Sequence, residues 1–215
     1  MNKSLALSLA LALAAGPASA QAPTRIGAAA AVSGAVKAET PGAVGRVIQS
    51  GKEIYLNDHV TTDAAGRLQV LLLDETIFTL GPNSDMVLDE FVYDPGNDAG
   101  KVAARVTKGV FRFVTGKVAR RDPASMKVKL PAGTIGIRGT IAVGEAGENS
   151  STAILMGPGG DTNTDEPAGS ITFENNGVTR TMNEPGDGVT CDNGQSPSGV
   201  VDLSAKANEL NAKLD

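Results

Sequence analysis

The chain has 215 residues, 41% of them hydrophobic and 20% charged, and its formal net charge is −5; that acidic balance argues against a nucleic-acid partner, which needs a basic face to neutralise phosphates. One histidine and one cysteine are too few for a transition-metal site, and a single thiol closes no intrachain disulfide. With 26 glycines, no tryptophan and 3% aromatic residues, the composition fits one globular domain lean in large core residues and rich in turns.

The first 20 residues, MNKSLALSLALALAAGPASA, carry Lys3, an apolar run from Leu5 to Ala15 and a Gly16-Pro17 break. This is the pattern of a secretory signal peptide, and the Ala18-Ser19-Ala20 tripeptide places its cleavage after Ala20. The run is shorter than the ~20 residues that span a bilayer, and no later window has the ~18 consecutive apolar residues of a transmembrane helix. The sequence therefore predicts a periplasmic or secreted product beginning at Gln21 with no transmembrane segment.

Beyond it the pattern is strand after strand. AAVSGAVKAE alternates, with Val32 and Val36 flanking Gly34 on one face, and Pro41, Gly42, Gly45 and Gly51 punctuate the next stretch of chain. GRLQVLLLDETIFTLGPNS predicts a hairpin turning at Asp74-Glu75, with Leu68, Val70 and Leu72 on one arm and Phe78 and Leu80 on the other. Leu71 and Leu73 supply the opposite face as well, so this arm is expected to be buried on both sides. In SDMVLDEFVYDPGN, Val87, Phe91 and Tyr93 fall on one face and Met86, Leu88 and Val92 on the other, before Pro95-Gly96 ends the run.

VAARVTKGVFRFVTG predicts a second hairpin, Val102 to Val106 and Val110 to Val114, turning at Lys108-Gly109. MKVKLPAGTIGIRGTIAVGE continues the strands, with Met126, Val128 and Leu130 alternating against Lys127 and Lys129. No segment up to Gly147 has helical apolar spacing over a helical length, which disfavours a parallel nucleotide-binding sheet. Farther on, SITFENNGVTRTMNEPGDGVTC predicts a hairpin at Asn176-Gly177, and DLSAKANELNAKLD spaces Leu203, Ala207, Leu210 and Leu214 for a helix with Asp202 as N-cap. That helix is expected to cover an exposed edge of the last hairpin. The fold class is all-β with a short C-terminal helix; strands every ten residues or so suit a sandwich, a barrel or stacked hairpins alike.

Three stretches in order, LNDHVTTDAAGRLQVLLLDETIFTLGPNSDMVLDEF, KGVFRFVTGK and KVKLPAGTIGIRGT, resemble the FecR-domain family over roughly Leu56 to Val143. The last contains the T-x-G-[IV]-R-G-T run that is the family's most recognisable element. The resemblance implies stacked β-hairpins wound as a short solenoid, in a sensor or binding domain of the periplasm. The best-known members are inner-membrane regulators that relay ferric-siderophore occupancy from an outer-membrane transporter to a cytoplasmic sigma factor. No segment ahead of the domain here reads as a transmembrane helix or a cytoplasmic anti-sigma region, so a signalling role would need a separate partner protein. On this basis residues 1–20 are a signal peptide, 21–55 an N-terminal β segment, 56–146 the FecR-like core, 147–197 a C-terminal β-hairpin extension and 198–215 the helix.

Within AGTIGIRGT, strand alternation puts Ile135 and Ile137 on one face and Gly136 and Arg138 on the other. Gly133, Gly136 and Gly139 permit close backbone approach or a bend, and Thr140 ends the run. An arginine among apolar strand residues has to be paired, with a carboxylate (Asp74, Asp85, Asp89 or Glu90) or with strand-end carbonyls; the competing role is to line a site for an anionic ligand. These five residues, Gly133, Gly136, Arg138, Gly139 and Thr140, are the candidate structural or ligand-binding set.

No catalytic residue, cofactor motif or metal site is assigned. His59 stands in a strand-entry position without a nucleophile elbow, and adjacent acids such as Asp89-Glu90 point to opposite faces. GPGGDTN lacks the lysine of a phosphate loop, and the loop Gly157 to Ser170, with Asp161, Asp165 and Glu166, lacks the spacing of a known calcium motif. Cys191 is expected to be buried and inert, although TCDNG is turn-rich. The basic cluster Lys117, Arg120, Arg121, Lys127 and Lys129 is either a solvated face or a seat for an anionic partner such as envelope polysaccharide. The function expected is a non-enzymatic exported binding or sensor module acting through a protein partner of the envelope. The alternative is a structural or surface-associated envelope protein that binds polysaccharide or another secreted protein.

Overall fold

A computed structural model describes residues 22–157 and 169–215. The signal peptide expected at 1–20 and most of the acidic loop weighed for calcium lie outside the described residues.

The strands open with β1 (Arg25–Ser33), β2 (Val36–Glu39), β3 (Arg46–Val47), β4 (Glu53–Tyr55) and β5 (His59–Thr62). The central group is β6 (Arg67–Leu72), β7 (Ile77–Leu80), β8 (Asp85–Asp94) and the sixteen-residue β9 (Ala99–Val114). A one-turn helix α1 (Lys117–Arg121), absent from the sequence expectation, leads to β10 (Met126–Leu130), β11 (Gly133–Arg138), β12 (Ile141–Ala146) and β13 (Ser150–Gly157). The chain closes with β14 (Ser170–Asn175), β15 (Val178–Met182), β16 (Asp187–Asp192), β17 (Val201–Asp202) and helix α2 (Ser204–Leu214).

Hydrogen bonding links all seventeen strands into one system. It has two halves that share β9. Sheet A runs β4-β1-β6-β7-β9-β12-β13-β16-β17. Sheet B runs β3-β2-β5-β8-β9-β10-β11-β14-β15. Every pairing is antiparallel except β9 with β10. Successive hairpins fall alternately on the two halves, so the chain winds as stacked hairpins, open at both ends and not closed as a barrel. Phe78, Phe111 and Phe113 of sheet A and Met86, Val128, Ile135 and Phe173 of sheet B belong to one buried apolar cluster between the halves.

The strand β9 replaces the hairpin expected at Lys108-Gly109. Its first part pairs with β8 and β10, and its last part with β7 and β12. Val102, Ala104 and Val106 face the core, then Phe111 and Phe113; the buried set passes from even to odd positions across Gly109. Gly109 has φ +99°, and a Cβ there would collide with Ser84, whose Cα would lie 2.6 Å away.

Three other expectations are corrected. The run through Gly34 is two strands on different sheets, β1 and β2, because the chain turns at that residue. The arm holding Leu71 and Leu73 is buried on one side only, since these leucines are 42% and 48% exposed on the outer face of sheet A. In β8 a register shift between Leu88 and Glu90 exchanges the faces. Met86 and Leu88 are in the core before it; Phe91 and Tyr93 pack against the core after it, and Val92 is exposed.

At the N-terminal end, wholly buried Asp58 accepts hydrogen bonds from Thr40 Oγ1 at 2.6 Å, Tyr55 N at 2.8 Å and the Arg46 guanidinium. That guanidinium lies 4.9 Å from the Tyr55 ring centroid. A buried carboxylate is tolerated because it is fully paired, and its partners bind β3 to the β4–β5 turn.

Helix α2 lies on the outer face of sheet A, not on an edge. Its Ala207, Leu210 and Leu214 pack on Val110, Val143 and Ile154 of β9, β12 and β13, because those outward residues are apolar and need cover. Arg67 Nε donates to the Lys213 carbonyl at 3.1 Å, and Arg112 Nη1 to Asn211 Oδ1 at 3.2 Å. Leu203 occupies the N-cap position, while the Asp202 carboxylate accepts from Ser204 N at 2.9 Å and Ser204 Oγ at 2.6 Å. Cys191 is buried beneath the segment before β17, its Sγ 3.4 Å from the Gln195 carbonyl.

Gly109→Ala should lower stability by about 2–4 kcal/mol, from strained φ plus overpacking against Ser84; an unchanged midpoint in urea unfolding would show that the crossing does not need glycine. The α2 contacts should also respond to pH. Ser204 holds the Asp202 carboxyl below the ordinary range, and Lys213 with Lys206 does the same for Glu209. A depressed carboxylate stabilises above its unfolded pKa and loses that contribution as pH falls through the depressed value. Amide exchange in α2, corrected for intrinsic rates, should therefore speed up at pH 3 relative to pH 6 by more than exchange in β9 does.

Candidate binding faces

The five residues singled out in the sequence lie together on β11 and the turn after it, with separate tasks. Gly133 sits under the Phe173 ring, where a Cβ would collide with the ring edge. Gly136 faces outward between Lys127 of β10 and Thr172 of β14, its partners in register, and a Cβ would come within 2.7 Å of Thr172 Oγ1. Gly139 takes φ +50° in the turn to β12 and has open space around it. Thr140 is buried; its Oγ1 donates to the Gly157 carbonyl at 2.7 Å, and its own carbonyl accepts from Thr115 N at 3.2 Å and Thr115 Oγ1 at 3.1 Å. Thr140 is thus structural, clamping the passage of the chain from sheet B to sheet A.

Arg138 is exposed on the outer face of sheet B, opposite Ser170. None of the four proposed carboxylates pairs with it. Asp74 is buried in its turn and accepts from Thr76 N and Oγ1 at 3.1 and 2.8 Å. Asp85 accepts from Thr107 Oγ1 at 2.7 Å and lies 2.8 Å from His59 Nε2; Asp89 pairs with Arg105 at 2.7 Å. Glu90 stands opposite Ala103. The pairing argument assumed burial, and an arginine on a solvent face keeps its hydration instead. Around Gly136 there is a groove of about 270 Å³ lined by Lys127, Gly136, Arg138, Ser170 and Thr172.

The five residues of the basic cluster divide, with Arg120 exposed on α1. Lys117 pairs with Glu75 at 2.7 Å and Arg121 donates to the Asn97 carbonyl, while Lys127 and Lys129 are exposed on the same face as Arg138. His59 joins β5 to β8 through Asp85. Among the described residues no group of three histidine, cysteine or acidic side chains could hold a metal ion.

The outer face of sheet A has a different chemistry, which the sequence did not disclose. Leu71, Ile77, Val114 and Ile141 are successive cross-strand partners on β6, β7, β9 and β12. They form an apolar row beside the one that α2 covers, and each is partly or largely exposed. Leu73 extends the row past the end of β6. The signal in the sequence was the pair Leu71 and Leu73, whose surplus of apolar residues was read as double burial.

The family model described as FecR protein matches residues 58–158. No curated protein sequence matches the chain. Among solved structures, the chain is similar to the crystal structure of a candidate anti-sigma factor from Parabacteroides distasonis. The TM-score is 0.50 at 13% identity, over 69% of this chain and 62% of that one. The likeness at that identity is one of fold, and this chain spans less than two thirds of that protein's length. The span that matches the FecR domain takes in β5 to β13, both sheets and the β11–β12 crossing.

Proposed function

We propose that the protein is an exported, non-enzymatic FecR-domain module that acts in envelope signal transduction by binding a protein partner on the outer face of sheet A. The observation that carries this is the row of exposed Leu71 and half-buried Ile77, Val114 and Ile141, with exposed Leu73 at its end. Soluble monomers rarely leave a contiguous apolar strip uncovered, and such strips mark interaction sites. Its form also suggests the partner element. The row crosses four strands, a length of about 14 Å, and its Ile141 is two residues, about 7 Å, along β12 from Val143 under α2. A short amphipathic helix from the partner would lie there alongside α2 at a normal interhelical spacing of about 8–10 Å.

Kinship supports the signalling context: the chain has a FecR domain, and the similar solved structure is described as an anti-sigma factor. Export rests on the N-terminal sequence, with the protein beginning at Gln21 in the periplasm or outside the cell. Among the described residues no helix is long and apolar enough to cross a membrane, so on this reading the partner supplies the passage of the signal.

The test places a photo-cross-linking residue at position 71 or, on the other sheet, at exposed position 37, in tagged protein recovered from the envelope. One envelope protein should be captured from 71 and not from 37, and Leu73→Asp should remove it. Because Leu73 is half-exposed, that substitution should change stability by no more than about 0.5 kcal/mol. Equal capture from both positions, or capture unaffected by Leu73→Asp, would refute the docking face. Recovery of the chain in the cytoplasm with residues 1–20 intact would refute export.

A further inference from the structure

The outer face of sheet B points to a second site, of opposite chemistry. Lys127 and Lys129 point outward from β10, and Arg138 outward from β11. Lys127 stands opposite Gly136, two residues before Arg138, so Lys127 and Arg138 are diagonal neighbours on one face, with backbones about 7–8 Å apart. Gly136 places no side chain between them. The groove is therefore open over the Gly136 backbone, with Ala124, Met126 and Ile137 also in its lining and Ser170 and Thr172 on its far side.

Three like charges on adjacent positions are unfavourable to one another. Among the described residues Lys127, Lys129 and Arg138 enter no ion pair, although the chain has 24 acidic residues to its 19 basic ones. The neighbouring cation Arg105 is paired with Asp89, and Glu174, opposite Thr134, bounds the patch on β14. Two flanking cations suit an oxyanion, which accepts charge-assisted hydrogen bonds from an arginine fork and an ammonium together; the Thr172 hydroxyl beside them donates to the Gly136 carbonyl at 3.5 Å.

We infer that the groove over Gly136 binds the carboxylate or phosphate groups of an acidic envelope polysaccharide. Two features favour a glycan over an acidic peptide. The strand β11 is hydrogen-bonded on both sides, to β10 and β14, so it has no edge to which a peptide could add. The groove also lacks a deep apolar pocket to anchor a peptide side chain. Its lining includes no aromatic ring on which a neutral sugar could stack, so charge and hydroxyl contacts supply the affinity. This inference does not depend on the partner-docking proposal, which concerns the opposite sheet.

The experiment measures binding of the full exported protein to immobilised polygalacturonate, a phosphomannan, neutral dextran and polyglutamate. Lys127→Ala/Arg138→Ala is compared with the control Lys37→Ala/Lys52→Ala, which removes two exposed lysines elsewhere. Loss of two charge-assisted contacts should weaken acidic-glycan binding by about 10-fold or more, the control should change it by less than about 2-fold, and added salt should weaken it steeply. Tighter binding of the phosphomannan or of polygalacturonate assigns the oxyanion as phosphate or carboxylate. Three results would overturn the inference: equal loss in the control, which means general surface electrostatics; polyglutamate binding as tightly as the glycans; or no acidic glycan bound at all. All substituted side chains are exposed, so thermal melts should match the parent protein and exclude misfolding as the cause.

Discussion

The whole architecture depends on one strand serving two sheets. A strand of sixteen residues, β9, has its first part in sheet B and its last part in sheet A. A strand obeys a period of two, so a straight β9 would keep one parity of residues facing the core throughout. The core lies between the sheets, and a strand passing from one to the other must change the parity it buries. Gly109 provides that change, with its positive φ and its contact with Ser84. Val102, Ala104 and Val106 then line one wall, and Phe111 and Phe113 the other. Without this exchange Phe111 and Phe113, stacked at 6.2 Å with Phe113 also 6.2 Å from the tilted ring of Phe78, would face away from the core.

The same feature shows why sequence alone fell short. A glycine after a lysine between two alternating runs is also what a tight hairpin looks like, and local pattern does not distinguish a reversal from a crossing. The β8 bulge is a similar case: a shift of one residue moved Phe91 and Tyr93 inward, and only the pairing with β9 reveals it. By contrast, elements whose geometry is set locally were legible. The alternation of Met126, Val128 and Leu130 against two lysines, the Asn176-Gly177 turn and the spacing of α2 all appear as expected. Where α2 docks was not legible, because the apolar residues that receive it, Val110, Val143 and Ile154, come from three strands far apart in sequence. The candidate site was half legible. The outward direction of Gly136 and Arg138 followed from alternation, whereas their solvent exposure depends on which face of sheet B is covered.

The two outer faces differ because the hairpins alternate between sheets. Each hairpin buries one set of residues in the common core and leaves the other set to its own surface. In sheet A that other set contains valine, isoleucine and leucine, part of it under α2 and part open. In sheet B it consists largely of lysine, arginine, threonine and glycine on β10, β11 and β14. One core thus presents the apolar row beside α2 on one side and the cationic residues of β10 and β11 on the other.

The T-x-G-I-R-G-T run explains how close these surfaces are in the chain. Arg138 ends β11 at the groove, and Ile141 begins β12 as a member of the apolar row. Only Gly139 and Thr140 lie between them. Gly139 makes the turn at φ +50°, and Thr140 is held by Gly157 and Thr115. The arginine set among glycines is therefore placed at the rim of sheet B by the residues that carry the chain across to sheet A. The hydrogen bonds fix Thr140, while Gly139 beside it has open space around it, so the passage from the groove to the row is anchored at its second residue.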